Sequence, residues 1–160
     1  MKSTMEDEFY YLAKELNKKL NIIPLMYGSL GLAHITSIEL AHSDIDILIP
    51  SVFINENWDD LKEIVENLGY KLEDIEEHEF KNDRYRIAFS SIEELETFVG
   101  IRVQDIMQRE IDQIKYKILN LEQYEIVYKK SIQDGYRIQT RNKKDQEKLE
   151  LINQLKKKID

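Results

Sequence analysis

The sequence predicts a mixed α/β (α+β) fold, in which helices flank a mixed β-sheet and further helices follow at the C-terminus. Two apolar runs, at 21–27 and 44–49, have the length and composition of buried strands. Stretches with apolar residues at helical spacing stand before, between and after them. With 160 residues, the chain is long enough to bury one hydrophobic core. We therefore predict a sheet domain at 1–100 and a C-terminal helical segment at 101–160, packed together as one structural unit.

Helical periodicity and turn residues divide the chain into elements. Ser3 and Glu6 match a capping box at the start of the first helix, and Ser91 and Glu94 match another. Pro24 predicts that its strand lies at a sheet edge or starts there. The predicted elements in chain order are a helix at 4–20, a strand at 21–27, a short helix or turn at 29–40, a strand at 44–49, a helix at 57–68, strands at 70–80 and 85–90, helices at 92–99 and 103–112, a strand at 115–119, and helices at 120–132 and 143–158.

Composition and charge exclude several classes of protein. Cysteine is absent, so neither a disulfide framework nor a thiolate metal site can form. The formal net charge is −8, whereas binding along a nucleic-acid backbone needs a basic face, so we expect no nucleic-acid partner. No apolar run reaches the roughly 18 residues that a membrane span needs, and the acidic N-terminus lacks a signal-peptide core. We therefore expect a cytoplasmic protein with no membrane partner.

Two acids interrupt the predicted strand at 44–49, which reads Asp-Ile-Asp-Ile-Leu-Ile. Residues i and i+2 of a strand face the same way, so Asp44 and Asp46 share one face while the isoleucines pack on the other. Two carboxylates this close repel each other unless a positive charge lies between them. Mg²⁺ or Mn²⁺ suits such oxygen ligands and is often shared with substrate phosphates. The pair predicts a metal–phosphate site; the structural alternative is a turn or capping role for Asp44 and a merely exposed Asp46.

Gly28 and Ser29 follow the first predicted strand and complement the two acids. Glycine lets a phosphate approach the backbone closely, and the amides of a helix N-terminus, with the serine hydroxyl, can bind its oxygens. His42, just before the acids, is a candidate lining residue. Each motif alone is common by chance. Their combination, in this order and each next to an apolar strand, predicts a nucleotide site.

The Gly-Ser pair at 28–29 and the run Ser-Asp-Ile-Asp-Ile-Leu-Ile at 43–49 resemble the motif of the DNA-polymerase-β-type nucleotidyltransferase superfamily. Its small bacterial members include lincosamide and aminoglycoside nucleotidyltransferases and the minimal nucleotidyltransferases of toxin–antitoxin modules. The resemblance is strong over 24–50 and looser over the following stretch, to about residue 92. The run Arg-Asn-Lys-Lys-Asp at 141–145, followed by an amphipathic helix, is also similar to the tail of such proteins.

This resemblance implies a nucleotidyltransferase-like fold and the chemistry of the family. A nucleoside monophosphate would pass from a nucleoside triphosphate to a hydroxyl group, with release of pyrophosphate. Asp44 and Asp46 would bind Mg²⁺ or Mn²⁺, and Gly28 and Ser29 would hold the triphosphate. The implied partners are the triphosphate and a small-molecule or protein hydroxyl acceptor that the sequence does not identify.

The sequence departs from the family at the third acid, which the family carries on the next strand of the sheet. Ala88 stands at the expected position. Glu79, on the partner strand, is the substitute that we predict, with Asp74 as the less favoured candidate. Without a third acid, nucleotide binding can survive while transfer slows or is lost. The alternative function is therefore a catalytically impaired protein that binds a nucleotide or has a regulatory role with a partner protein.

A basic cluster provides the remaining candidates. Arg137, Arg141, Lys143 and Lys144 lie just before and within the first turn of the last predicted helix, where cations oppose the helix dipole. We interpret Lys143 and Lys144 as candidates for phosphate binding; the structural alternative is a solvated loop of mixed charge. Tyr136, beside this cluster, is a candidate for stacking on a nucleobase.

Overall fold

Helices and strands are interspersed along the chain in the computed structural model, which describes residues 4–39, 44–133 and 139–159, without the side chains of 133, 139–143, 158 and 159. The helices of these ranges are α1 (Met5–Leu20), α2 (Gly28–Thr36), α3 (Trp58–Asn67), α4 (Glu94–Val99), α5 (Leu121–Gln133) and α6 (Gln139–Ile159). The strands are β1 (Leu25–Tyr27), β2 (Asp44–Ile49), β3 (Lys71–Asp74), β4 (Glu79–Lys81), β5 (Arg86–Ser91), β6 (Met107–Ile111) and β7 (Ile114–Ile118).

All seven of these strands belong to one sheet, in the order β3-β4-β5-β2-β1-β7-β6. β2 runs parallel to β5 and β1 runs parallel to β7, whereas the other neighbouring pairs are antiparallel. The two strands that precede and follow α2 are therefore neighbours near the centre of the sheet. This arrangement confirms the predicted fold class, a mixed sheet flanked by helices.

One face of the sheet carries the hydrophobic core. Ile45 pairs with Ile87, which pairs with Phe80, and all three side chains are buried. The ring of Trp58 on α3 lies 5.6 Å from the ring of Phe80, centroid to centroid, and α1 packs through Phe9 against β7. Because side chains alternate along a strand, the two acids of β2 point to the opposite face. That second face also carries the buried pair Leu25 and Leu48, and its polar side chains lie at the end of β2 where Asp44 and Asp46 stand.

The first helix begins with a capping box, one residue later than predicted. Thr4 is the N-cap: its hydroxyl accepts a hydrogen bond from the amide of Asp7 at 3.0 Å, and its own amide donates to the Asp7 carboxylate at 3.2 Å. The box predicted from residue 3 is therefore wrong by one position. The box predicted at Ser91 is also wrong, because Ser91 is the buried last residue of β5.

Two predicted strands differ from the structure because turns interrupt them. Asn21 adopts a positive φ of 55° after α1, so the strand predicted at 21–27 is reduced to β1, which starts directly after Pro24. The strand predicted at 70–80 is instead a hairpin of β3 and β4. In its turn, the carboxylate of Asp74 accepts hydrogen bonds from the amides two and three residues ahead.

The helix predicted at 103–112 is wrong. After a short 3-10 turn, this stretch forms β6, which is hairpin-paired with β7. Asp112 and Gln113 connect the paired Ile111 and Ile114, and both adopt positive φ values, of 49° and 69°. Met, Gln, Arg and Glu favour helices in isolation, but the ladder of β7 overrides that preference. The turn lacks the Asn-Gly or Asp-Gly pair by which such hairpins are usually found in a sequence.

The C-terminal part begins within the sheet and ends in helices. β6 and β7 lie beyond residue 100, and β7 pairs with β1, so the sheet extends into the segment predicted to be helical. Asn120 caps α5 as predicted, exchanging hydrogen bonds of 2.8 and 3.0 Å with Gln123. α6 begins at Gln139, four residues before its predicted start. The division into two units stays a prediction.

Among the described residues, no helix is long and apolar enough to cross a membrane.

Candidate functional site

The strand register brings the predicted acids together on the polar face of the sheet. Asp46 pairs with Tyr27 of β1 on one side and with Ala88 of β5 on the other, and Ala88 pairs in turn with Glu79 of β4. Paired residues of neighbouring strands project to the same face. These four positions therefore form one row across β1, β2, β5 and β4. Asp44 stands two residues earlier on the same face of β2, in the next row.

Gly28 connects this row to α2. It has a positive φ of 63°, and a Cβ atom placed there would overlap the carboxylate of Asp46. Both observations require glycine: the backbone conformation is one that other residues rarely adopt, and the space is occupied. The turn predicted to hold a phosphate is thus in direct contact with Asp46, one of the two strand acids predicted to hold a metal.

α2 begins at Gly28, so its first amides lie beside Asp46. The positive end of a helix dipole favours negative charge, whether a carboxylate or a phosphate. Ser29, predicted to bind the triphosphate, is half-buried in this first turn. The side chain of the N-cap residue, Tyr27, makes no capping hydrogen bond to the first turn.

A second close contact fixes the position of α2 against the sheet. A Cβ atom on Gly31 would overlap both the hydroxyl oxygen of Tyr124 and the carbonyl oxygen of Met26. The Tyr124 hydroxyl donates a buried hydrogen bond of 2.8 Å to that carbonyl. Burial raises the pKa of Tyr124 well above its ordinary value, so the hydroxyl keeps its proton. β1, α2 and α5 are therefore held together one helical turn from Gly28.

Arg86 lies among the acids of the site. Its guanidinium contacts Glu73 at 2.6 Å, Glu79 at 3.3 Å and Asp44 at 3.9 Å. Glu73 is the main cause that raises the pKa of Arg86 above its ordinary value. The sequence interpretation missed this residue. The sequence did show that Arg86 and Ala88 are two residues apart on one predicted strand and therefore share a face. It did not show which acids Arg86 contacts, because that depends on strand pairing.

Glu79, the predicted substitute for a third acid, shares the row of Asp46 but lies two strands away. Neighbouring strands are about 4.8 Å apart, so the backbones of Asp46 and Glu79 are roughly 10 Å apart, with Ala88 between them. Its carboxylate accepts a hydrogen bond from Arg86. Asp74, the less favoured candidate, is engaged in the β3–β4 turn instead. The catalytic role of Glu79 stays a prediction.

The donor set suits a metal ion that is shared with a ligand. Within the described ranges, no group of three or more His, Asp or Glu side chains is arranged to hold a metal ion. Asp44 and Asp46 offer two carboxylates on one face, and the Asp44 side chain is 41% exposed. Mg²⁺ keeps several waters and is commonly bound by one or two carboxylates plus substrate phosphates. These residues therefore fit a metal–triphosphate complex better than a metal bound by protein alone.

The basic candidates are only partly described. Lys144 is exposed on α6. This helix packs against α5, and Lys156 of α6 forms an ion pair of 3.2 Å with Glu125 of α5. The side chains of Lys143 and Arg141 lie outside the described residues, as do His42, Tyr136 and Arg137. The predicted phosphate contacts of Lys143 and Lys144 therefore stay predictions.

The fold is similar to that of known nucleotidyltransferases. The crystal structure of ANT(2″)-Ia in complex with adenylyl-2″-tobramycin matches with a TM-score of 0.58 and 14% identity, covering 93% of this chain and 88% of that one. The solution structure of the antibiotic-resistance factor ANT(2″)-Ia matches with a TM-score of 0.54 and 14% identity, covering 94% and 92%. The chain thus has a nucleotidyltransferase-like fold.

Sequence comparison places the chain more narrowly. It is 44% identical over 149 residues to the uncharacterized protein YnaI of Bacillus subtilis (strain 168), a match that covers 93% of this chain and 96% of YnaI. The chain therefore belongs to the same protein family as YnaI. No model of a known protein family matches the sequence.

Proposed function

We propose that this chain is a nucleotidyltransferase that transfers a nucleoside monophosphate from a nucleoside triphosphate to a hydroxyl acceptor. The contact between Gly28 and Asp46 is the observation that carries the proposal. It joins a glycine turn at a helix N-terminus, suited to phosphate, to a strand with two carboxylates on one face, suited to a divalent ion. The nucleotidyltransferase-like fold supports the assignment but does not by itself determine a function.

Each site residue has a distinct proposed role. The amides that begin α2, with Gly28 and Ser29, hold the triphosphate, and Lys143 and Lys144 add phosphate contacts from the last helix. Asp44 and Asp46 hold Mg²⁺ or Mn²⁺, which neutralises phosphate charge when bound. These roles rest on residue type and placement.

The transfer step forms one bond and breaks another. The acceptor oxygen bonds to the α-phosphorus, the bond between the α- and β-phosphates breaks, and pyrophosphate leaves. The hydroxyl proton passes to a base, for which we propose Glu79. Glu79 lies across Ala88 from Asp46, and we propose that the acceptor binds between these two acids, over the small alanine side chain. The crystal structure of ANT(2″)-Ia is a complex with adenylyl-2″-tobramycin. For this chain we propose a small molecule or a protein hydroxyl as the acceptor.

A specific observation favours a second candidate function. Ala88 supplies no carboxylate beside Asp46, and Glu79 is already engaged by Arg86 at 3.3 Å. A site of this kind can bind a metal–nucleotide complex yet transfer slowly or not at all. The second candidate is therefore a catalytically impaired protein whose nucleotide binding serves a regulatory role with a partner protein.

Titration calorimetry tests the shared premise of both functions. ATP, GTP, CTP and UTP are titrated with and without Mg²⁺ or Mn²⁺ into the wild type and into Asp44→Asn/Asp46→Asn. We expect metal-dependent binding of at least one nucleotide and its loss in the double variant. Asp59→Asn/Asp60→Asn is the matched control, because it removes the same charge from exposed positions on α3. Binding that survives loss of both strand acids would contradict the proposed site.

Turnover separates the two functions. The nucleotide that binds is supplied with its metal and with a panel of hydroxyl acceptors, and pyrophosphate release is measured for the wild type and for Glu79→Gln. Release that depends on an acceptor and falls in the variant supports transfer with Glu79 as the base. Tight binding without release from any acceptor of the panel favours the catalytically impaired protein.

A further inference from the structure

Arg86 places a fixed positive charge among the acids of the proposed site. The strand register sets Arg86 beside Asp44 on one side and beside Lys81 on the other, one row from Asp46 and Glu79. The Arg86 side chain is 38% exposed, so it can meet an incoming ligand as well as the acids. The pKa of Arg86 is raised mainly by Glu73, so its charge persists at every pH of interest.

The three contacts of Arg86 differ in length. Glu73 at 2.6 Å and Glu79 at 3.3 Å hold the Nη1 nitrogen by ion pairs. The Asp44 contact, made by the Nε nitrogen at 3.9 Å, is longer than a hydrogen bond. Asp44 can therefore turn towards another cation while Glu73 and Glu79 keep the guanidinium in place.

Electrostatics then determines which ions can approach. A divalent cation beside Asp44 and Asp46 gains from two carboxylates but is repelled by the guanidinium a few ångströms away. A metal that arrives with a triphosphate carries net negative charge, so the same guanidinium attracts the complex. Among the described residues, no group of three or more His, Asp or Glu side chains is arranged to hold a metal ion without such a ligand.

We propose that Arg86 is a specificity-determining residue that disfavours free divalent metal at Asp44 and Asp46 and favours the metal–triphosphate complex. This inference rests on the proposed function and adds to it an order of binding: the nucleotide carries the metal into the site. Arg86 acts as a displaceable counter-ion of Asp44 and remains tethered through Glu73 and Glu79.

The test compares free Mn²⁺ with Mn²⁺–ATP, or with the complex of whichever triphosphate binds best. Binding of Mn²⁺ is followed by electron paramagnetic resonance and binding of the complex by calorimetry, on the wild type and Arg86→Gln. We expect free Mn²⁺ to bind Arg86→Gln roughly tenfold more tightly, because a unit positive charge near the ion is removed. The Mn²⁺–triphosphate complex is expected to bind the variant more weakly than the wild type. Opposite shifts of the two affinities would show that Arg86 selects ligands by its charge, whereas a purely structural arginine would not produce them.

Matched variants control for charge and for folding. Arg102→Gln removes one positive charge from an exposed residue paired only locally with Asp105, and is expected to leave both affinities unchanged. Adding Asp44→Asn/Asp46→Asn to Arg86→Gln should abolish the gained Mn²⁺ binding. If Arg86→Gln does not fold, Arg86→Met keeps a long stem on the sheet while removing the charge, and Arg86→Lys retains the charge and should keep the preference of the wild type.

The outcomes separate this inference from the proposed function. If the wild type binds Mn²⁺–triphosphate but Arg86→Gln shows unchanged or weaker affinity for free Mn²⁺, the selector role is overturned and the proposed function stands. If both affinities shift in the same direction, Arg86 is a structural residue and the inference fails. If neither chain binds any metal–triphosphate complex, both the proposed function and the inference fail.

Discussion

The α-carbon of Gly28 lies against the carboxylate of Asp46, across the junction between β1, α2 and β2. Because Tyr27, the residue before Gly28, pairs directly with Asp46, the contact follows from the β1–β2 ladder itself. The helix N-terminus and the strand acid are thus fixed relative to each other by backbone hydrogen bonds rather than by a flexible loop.

Replacing Gly28 by alanine should impair both stability and binding. Alanine at a positive φ of 63° is strained by about 1–2 kcal/mol, and the overlap of its Cβ with Asp46 adds roughly 1–3 kcal/mol. Gly100→Ala is the matched control, with a φ of 76° and open space around its Cβ position, so it carries the strain alone. Urea denaturation should show the larger loss for Gly28→Ala, and calorimetry should show loss of nucleotide binding in that variant only. Equal losses of stability would mean that Asp46 moves aside freely.

Introducing an acid at Ala88 should increase metal binding. Position 88 pairs with Asp46 on the neighbouring parallel strand, so an aspartate there would lie about 5 Å away, measured between Cβ atoms. Without metal, the like charges should lower stability by roughly 0.2–1 kcal/mol. With Mn²⁺, the melting temperature should rise more for Ala88→Asp than for the wild type, because the ion binds the folded state. Ala88→Asn, which has the same shape without charge, is the control, and an equal rise there would contradict coordination by the new carboxylate.

Alkaline pH should destabilise the fold through its buried tyrosines. Desolvation, helped by a hydrogen bond from its hydroxyl to Glu8, raises the pKa of Tyr70, and burial raises that of Tyr124. Above about pH 10 the unfolded chain releases these protons while the folded chain keeps them. The free energy of unfolding should therefore fall by up to about 1.4 kcal/mol per pH unit for each such tyrosine.

Urea midpoints measured between pH 9 and pH 11.5 check this dependence. Tyr70→Phe should reduce the slope of stability against pH, because one tyrosine with a raised pKa is removed. Tyr11→Phe, at an exposed position on α1, should leave the slope unchanged. A slope that is equal in all three chains would show that these buried hydroxyls do not control the alkaline transition.

Substitutions in the turn between β6 and β7 should stabilise the folded protein. Asp112 and Gln113 both adopt positive φ, so Asn-Gly at these two positions should raise the free energy of unfolding by roughly 0.4–1 kcal/mol. Gln108→Gly, within β6, is a useful contrast, because glycine in a strand lowers stability. Thermal or urea denaturation should therefore move in opposite directions for the two changes. A loss of stability from Asn-Gly would argue against this two-residue turn.

Much of the fold and part of the site could be predicted from local sequence patterns. Side chains alternate along any strand, so the shared face of Asp44 and Asp46 follows from their spacing of two. The helical periodicity of α1 and α3, and the Asn120 cap of α5, are likewise properties of short stretches. Gly28 indicated a position with an unusual backbone conformation, but its contact with Asp46 could not be predicted from the sequence.

Strand pairing decided what lies around those two acids. The distance of Glu79 from Asp46, the alanine between them and the ion pairs of Arg86 depend on which strands are neighbours and in which register. Likewise, β6 is a strand only because β7 offers it a ladder, although its residues favour a helix. Local patterns act over a few residues, whereas these contacts join segments far apart in the chain. The sequence by itself therefore determined which carboxylates share a strand face, and the tertiary structure alone decided which charges surround them.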